Sequence, residues 1–185
     1  MKLFWLDTET TGLDPSKNCI IQIGYMIEID GKVIEEGSIL SRPFESSEID
    51  PEALRVHGRS VEDINCYQSP TAAHEELANC LSKYVNRFDR ADKFVPAGYF
   101  VNFDTDMLRS FFRNNSDEFY GAWFTAVNID VAAFVAWKVA EESLQFKDYK
   151  LGTLCNHYCI AIEAHDALAD IRATRQLFRR LVNKS

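Results

Sequence analysis

Asp7 and Glu9 stand one residue apart where the apolar run Leu3-Phe4-Trp5-Leu6 ends. In an extended chain, side chains two apart share a face, so these carboxylates converge. Bare carboxylates held together repel and raise each other's pKa. A divalent cation removes that conflict, and an all-oxygen donor set suits Mg²⁺ or Mn²⁺. The bland alternative is two solvated acids in a turn after a strand. The next residues, Thr10-Thr11-Gly12-Leu13-Asp14-Pro15, weigh against it. Gly12 lets backbone approach a ligand closely. A loop at the carboxyl end of a strand is the usual place for a site on an open α/β sheet.

Two more acidic stations follow. Asp104 starts an expected helix after the apolar segment Lys93–Gly98. Its bland reading is a capping or first-turn acid favoured by the helix dipole. Spacing alone does not exclude Asp106. His165 lies just before the last expected helix, and Asp170 lies in its first turns. Four acids and one His fit a two-metal phosphodiester hydrolysis, in which paired cations clamp the scissile phosphate. A His of near-neutral pKa can take the proton from the attacking water.

The elements that must position these groups are legible as patterns. Residues 2–7 form a buried first strand. Residues 19–30 form the next, with Tyr25, Ile27 and Ile29 on one side. Asp30-Gly31 makes a tight hairpin turn into a third strand over 32–40. Two short helical turns follow, the second capped by Ser60. Ser69-Pro70 opens a longer helix whose apolar face carries Leu77, Leu81, Tyr84, Val85 and Phe88. A short strand ends at Gly98, and a helix from Asp104 buries Leu108, Phe111 and Phe112. A fifth strand falls within 126–131. The segments 131–142 and 150–158 read as helices. Asp166 caps the last helix, whose inner face holds Leu168, Ile171, Phe178 and Leu181. The order, β-β-β-α-β-α-β-α-α, gives an α/β fold with a mixed sheet and helices on its faces.

Composition sets the frame. The 185 residues favour one domain, taken as 1–185, with 46% hydrophobic and 26% charged residues as in an ordinary globular protein. A net charge of −8 argues against coating nucleic acid by bulk electrostatics. It is compatible with acids that hold cations, because bound ions invert the local field. No stretch reaches the roughly 18 apolar residues of a membrane span. The opening apolar run is too short for a signal peptide, so the expected compartment is the cytoplasm, with no membrane partner. Five scattered cysteines imply free thiols in a reducing environment. Cys155, His157 and Cys159 lack the spacers of a zinc site and suit small residues on a helix.

These motifs resemble the DEDDh-type 3′→5′ exonucleases, the superfamily of the bacterial proofreading subunit, RNase T and oligoribonuclease. Asp7-Thr8-Glu9-Thr10-Thr11-Gly12-Leu13, Phe103-Asp104, and His165 with Asp170 five residues on follow its three motifs in order. The segment ending in His57-Gly58 resembles the link of the proofreading branch. The likeness runs from about Leu3 to Leu181. It implies an RNase H-like fold with a five-stranded mixed sheet. It further implies two divalent cations, Mg²⁺ or Mn²⁺, on Asp7, Glu9, Asp104 and Asp170, with His165 as general base. Thr10 and Gly12 would hold the terminal 3′-hydroxyl. Leu13 would wedge against the last base, and Phe103 would pack on the terminal sugar or base.

One departure stands out. The family often has Asn where this chain has Phe100, and that Asn would contact the substrate backbone. Asn102 could replace it only in a rearranged chain. His57 is read as a loop anchor rather than a substrate contact, and Trp123 and Trp137 as core. Arg172 and Arg175 suit a solvated helix face, with phosphate contact as the alternative. The expected activity is 3′→5′ exonucleolysis of single-stranded DNA, releasing nucleoside 5′-monophosphates. RNA is the alternative substrate, since sequence does not show contacts to a 2′-hydroxyl. A binding module without catalysis and a polymerase-tethered subunit are the other classes; the absence of a visible tether favours a free-standing enzyme. A homodimer is a further expectation from RNase T-like relatives.

Overall fold

In the computed structural model the described residues are 1–162 and 166–182. Strand β1 spans Lys2–Thr10, β2 Ile20–Ile29 and β3 Lys32–Leu40. Helices α1 (Pro51–His57), α2 (Val61–Asn65) and α3 (Pro70–Ser82) follow. Then come β4 (Val95–Gly98), α4 (Val101–Asn114), α5 (Tyr120–Trp123) and β5 (Ile129–Asp130). Helices α6 (Val131–Glu142), α7 (Leu151–His157) and α8 (Ala167–Val182) complete the described chain. The sheet order is β3-β2-β1-β4-β5. β1 runs antiparallel to β2 and parallel to β4, so the sheet is mixed.

β1 lies in the middle, and both its faces are covered. That is why its apolar run is continuous rather than alternating. Phe4 and Leu6 join a core with Ile23, Tyr25, Leu77 and Phe112 under α3 and α4. Leu3 and Trp5 join the opposite core with Val135, Leu154, Ile171 and Leu177 under α6, α7 and α8. Period two then carries Asp7 and Glu9 onto the α8 face, and Thr8 and Thr10 onto the α4 face.

The caps are as the sequence implies. Ser60 and Asp63 form a reciprocal capping box at α2. Ser69 caps α3 ahead of Pro70. Asp166 Oδ1 accepts the Ala169 N–H at 2.9 Å. Asp30 and Gly31, both left-handed at φ 49° and 83°, close the hairpin.

Several expectations shift. β1 continues past Asp7 through Thr10, because β2 keeps pairing with it out to Ile20. α3 stops at Ser82, and Phe88 is 88% exposed instead of lying on its inner face. Side chains of Asn86 and Asp89 take the N–H groups of Phe88 and Ala91, turn chemistry that competes with a helix. α4 begins three residues before Asp104, and α5 has no counterpart in the expected order. Trp137 is 53% exposed and packs on Phe134, since α6 turns Val131, Val135 and Val139 inward. On α8, Ala167, Thr174 and Leu177 fill the inner face, while Leu168 is only half-buried. All five cysteines are free thiols, with Cys155 buried and Cys159 exposed. No described helix is long and apolar enough to cross a membrane.

Candidate active site

Three elements deliver the acids. Asp7 and Glu9 belong to β1, partly open to solvent. Asp104, in the first turn of α4, is buried. Its Oδ1 accepts the Thr8 N–H at 2.9 Å and the Thr8 hydroxyl at 2.7 Å. Asp170, half-buried, sits in the first turn of α8. α8 gets that close because residue 24 is Gly. A Cβ there would fall 2.8 Å from the backbone carbon of Ala167.

Electrostatics confirm the crowding. Loss of hydration pushes Asp7 well above the usual carboxylate range, and the charges of Asp104, Asp170, Glu9 and Asp166 push it further. Glu9 rises to about 7 through desolvation, with Arg59 opposing and Asp170 and Asp166 adding. Asp104 also reaches about 7 by desolvation, against the lowering effect of the two Thr8 bonds. A divalent cation offsets both the lost hydration and the added repulsion, and the donor set is oxygen only. The residues therefore fit the implied cations in chemistry. The cage is not closed: among the described residues no three His, Cys, Asp or Glu side chains are disposed to hold an ion as they stand. His165, the expected base, lies outside the described residues.

Beside the acids opens a cleft of about 260 Å³. Glu9, Thr10, Gly12, Leu13, His57 and Phe103 all line it, so the four expected substrate contacts meet in one place. Leu13 is 80% exposed at its rim. The loop is held from several sides. Thr10 Oγ1 donates to Gly12 O at 2.8 Å, and Thr11 O accepts the Asp50 N–H at 2.7 Å. A side chain on Gly12 would collide with Asn18, 2.5 Å away. His57 is buried, and its Nδ1 accepts the Arg59 N–H at 3.3 Å while its residue lines the cleft. It serves both as anchor and as wall.

The sequence reading overlooked Arg59. Its guanidinium bonds Gln22 Oε1, and Gln22 stands opposite Glu9 in the β1–β2 register. Its place directly after His57-Gly58 is the signal that could have found it. Phe100, in the position often held by Asn, is the N-cap of α4 with φ 54° and ψ 37°. Asn takes this left-handed conformation several times more readily than most residues. Asn102 does not replace it, because its Oδ1 accepts from Asn128 Nδ2 at 2.9 Å. Arg172 is paired with Glu36, and Arg175 and Arg179 with Glu28. Those pairs give Arg172 and Arg175 a structural role in the sheet–α8 contact. Asp106 is paired with Arg109 on the outer side of α4.

Comparison with known proteins shows the family and the fold. The model of the RNase T family, described as exonuclease, matches residues 4–178. The chain is 27% identical over 178 residues to the PolC-type DNA polymerase III of Thermotoga petrophila. It is 28% identical over 178 residues to that of Thermotoga maritima. Each match covers 96% of this chain but only 12% of the relative's length. Among solved structures, E. coli exonuclease I in complex with a dT13 oligonucleotide superposes with a TM-score of 0.77 at 20% identity, covering 98% of this chain and 41% of that one. Exonuclease I from Methylocaldum szegediense gives 0.77 at 22% identity, covering 99% and 41%. These likenesses establish the RNase H-like exonuclease fold. With the family model spanning nearly the whole chain and the three motifs in order, the chain belongs to the RNase T exonuclease family, within the DEDDh-type 3′→5′ exonucleases.

Proposed function

We propose that this chain is a metal-dependent 3′→5′ exonuclease that hydrolyses single-stranded DNA from its 3′ end and releases nucleoside 5′-monophosphates. The observation that carries the reading is the meeting of the four expected substrate contacts in one cleft beside the crowded acids. Two divalent cations, Mg²⁺ or Mn²⁺, would be held by Asp7, Glu9, Asp104 and Asp170, and when bound would supply charge stabilisation at the scissile phosphate. Thr8 keeps Asp104 turned toward β1. The backbone at Thr10 and Gly12 receives the terminal hydroxyl, while Leu13 and Phe103 bracket the last nucleotide. His165 takes the proton of the attacking water. Residues 1–185 act as one exonuclease domain in the cytoplasm. The exonuclease I complexes with oligonucleotides favour DNA, and the PolC-type relatives favour a polymerase as protein partner. A homodimer is a further proposal.

The test uses equal 5′-labelled DNA and RNA single strands of one sequence, with Mg²⁺ or Mn²⁺. A ladder shortening from the 3′ end, faster on DNA and absent in Asp7→Asn, is expected. A faster RNA ladder would move the chain to the exoribonuclease reading. Full activity in folded Asp7→Asn would sink the mechanism.

A further inference from the structure

Phe100 combines three unusual features. It is a bulky residue in the left-handed region, where side chains other than Gly and Asn are seldom found. It is 55% exposed and belongs to neither core. Its position is nevertheless tightly fixed. Its N–H donates to Asp130 Oδ1 at 3.1 Å, and the same oxygen caps α6 through Ala132 N at 3.0 Å. Its ring packs edge to face on Tyr99, with centroids 5.0 Å apart. An outlier maintained against strain points to function rather than folding.

Its location says which function. Phe100 O accepts the Phe103 N–H at 3.1 Å, so the two residues lie one turn apart at the start of α4. Phe103 lines the cleft, and Asp104 follows it. An exposed, oriented aromatic ring one helical turn from the cleft-lining Phe103 suits a base, because every base has a π-face. A polar Asn would contact the sugar–phosphate backbone instead.

We infer that Phe100 is a specificity-determining residue that stacks on one base of the bound strand, upstream of the terminal nucleotide bracketed by Leu13 and Phe103. This inference rests on the single-strand reading above. Stacking in place of a backbone contact makes binding depend on a base being present at that position, and not on which base it is.

The test is fluorescence anisotropy with labelled oligodeoxynucleotides, in the Asp7→Asn background so that the strand is not cut. A single abasic site is walked inward from the 3′ end. Phe100 should give one position near the 3′ end where base loss weakens binding by about tenfold, the scale of one lost stack. Phe100→Leu and Phe100→Asn should bind the intact strand about tenfold more weakly and be blind to that abasic site, and Phe100→Trp should restore both. Phe100→Asn should also melt higher than its parent, because the left-handed strain is relieved, so its weaker binding cannot come from unfolding. Unchanged affinity in Phe100→Leu, or persistence of the abasic effect in that variant, would overturn the inference. Absence of any single-strand binding by the Phe100 parent would overturn the single-strand reading itself.

Discussion

Asp104 Oδ1 accepts two hydrogen bonds from Thr8, one from its amide and one from its hydroxyl, at 2.9 and 2.7 Å. The residue between Asp7 and Glu9 thus aims the acid of the second motif. β1 and α4 are joined at the point where the chemistry is proposed.

Thr8→Val removes the hydroxyl bond and keeps shape and amide. Stability should fall by about 1 kcal/mol, the usual net worth of one hydrogen bond. Asp104 should bind its proton more tightly, since both Thr8 bonds lower its pKa. Cleavage at pH 7 should drop several-fold and recover in part at pH 8.5. A flat loss across pH would instead indicate misplacement of Asp104.

The acid cluster makes a prediction about stability without metal. Glu9 and Asp104 rise to about 7 from ordinary values of 4.5 and 3.8, and Asp7 rises well above 3.8. Between about pH 4 and 7 the folded state therefore holds more protons than the unfolded chain, and stability falls as pH rises through that window. In EDTA the melting temperature should be lower at pH 8 than at pH 5.5. Mn²⁺ should raise it at pH 8 and much less at pH 5.5, where protons compete. Asp7→Asn should melt above wild type in EDTA at pH 8. A melting temperature at pH 8 indifferent to Mn²⁺ would argue against cation binding by these acids.

Much of this was legible because periodicity and caps carry it. Ser60, Ser69 and Asp166 announced their helices by local hydrogen bonding that needs no tertiary context. The acids were legible because carboxylates at strand and helix ends are hard to satisfy otherwise. Phe88 and Trp137 misled because an apolar side chain records burial only on average, and turn chemistry or helix phase decided against them. Arg59 was hidden for a different reason. Its partner Gln22 is 37 residues away, and only strand register brings that residue opposite Glu9.

Arg175 offers a test of structure against substrate binding. Its Nε lies 2.6 Å from Glu28 Oε2, and Glu28 also takes the Trp5 Nε1–H at 3.1 Å. Burial alone would raise Glu28, but Arg175, Trp5 and Arg179 together hold it below the usual range. Arg175→Met leaves a buried carboxylate with fewer partners and should cost roughly 3 kcal/mol. The salt dependence of oligonucleotide binding should not change. A slope reduced by about one would mean that Arg175 reaches a phosphate after all.

Gly24 is where β2 makes room for the start of α8. A Cβ there would meet the Ala167 Cβ at 2.7 Å and its backbone carbon at 2.8 Å, too close for either to remain in place. Ala167 precedes Asp170 by less than one turn, so any shift of the helix start carries that carboxylate with it. Gly24→Ala should therefore cost about 1–3 kcal/mol of stability by overpacking. It should also weaken Mn²⁺ binding, measured by titration calorimetry at a temperature where the variant is fully folded. Gly121→Ala is the control, since a Cβ at that position meets nothing within 4 Å. It should leave both quantities near wild type. Loss of stability in Gly24→Ala with unchanged Mn²⁺ affinity would show that the sheet absorbs the methyl group and that Asp170 keeps its place.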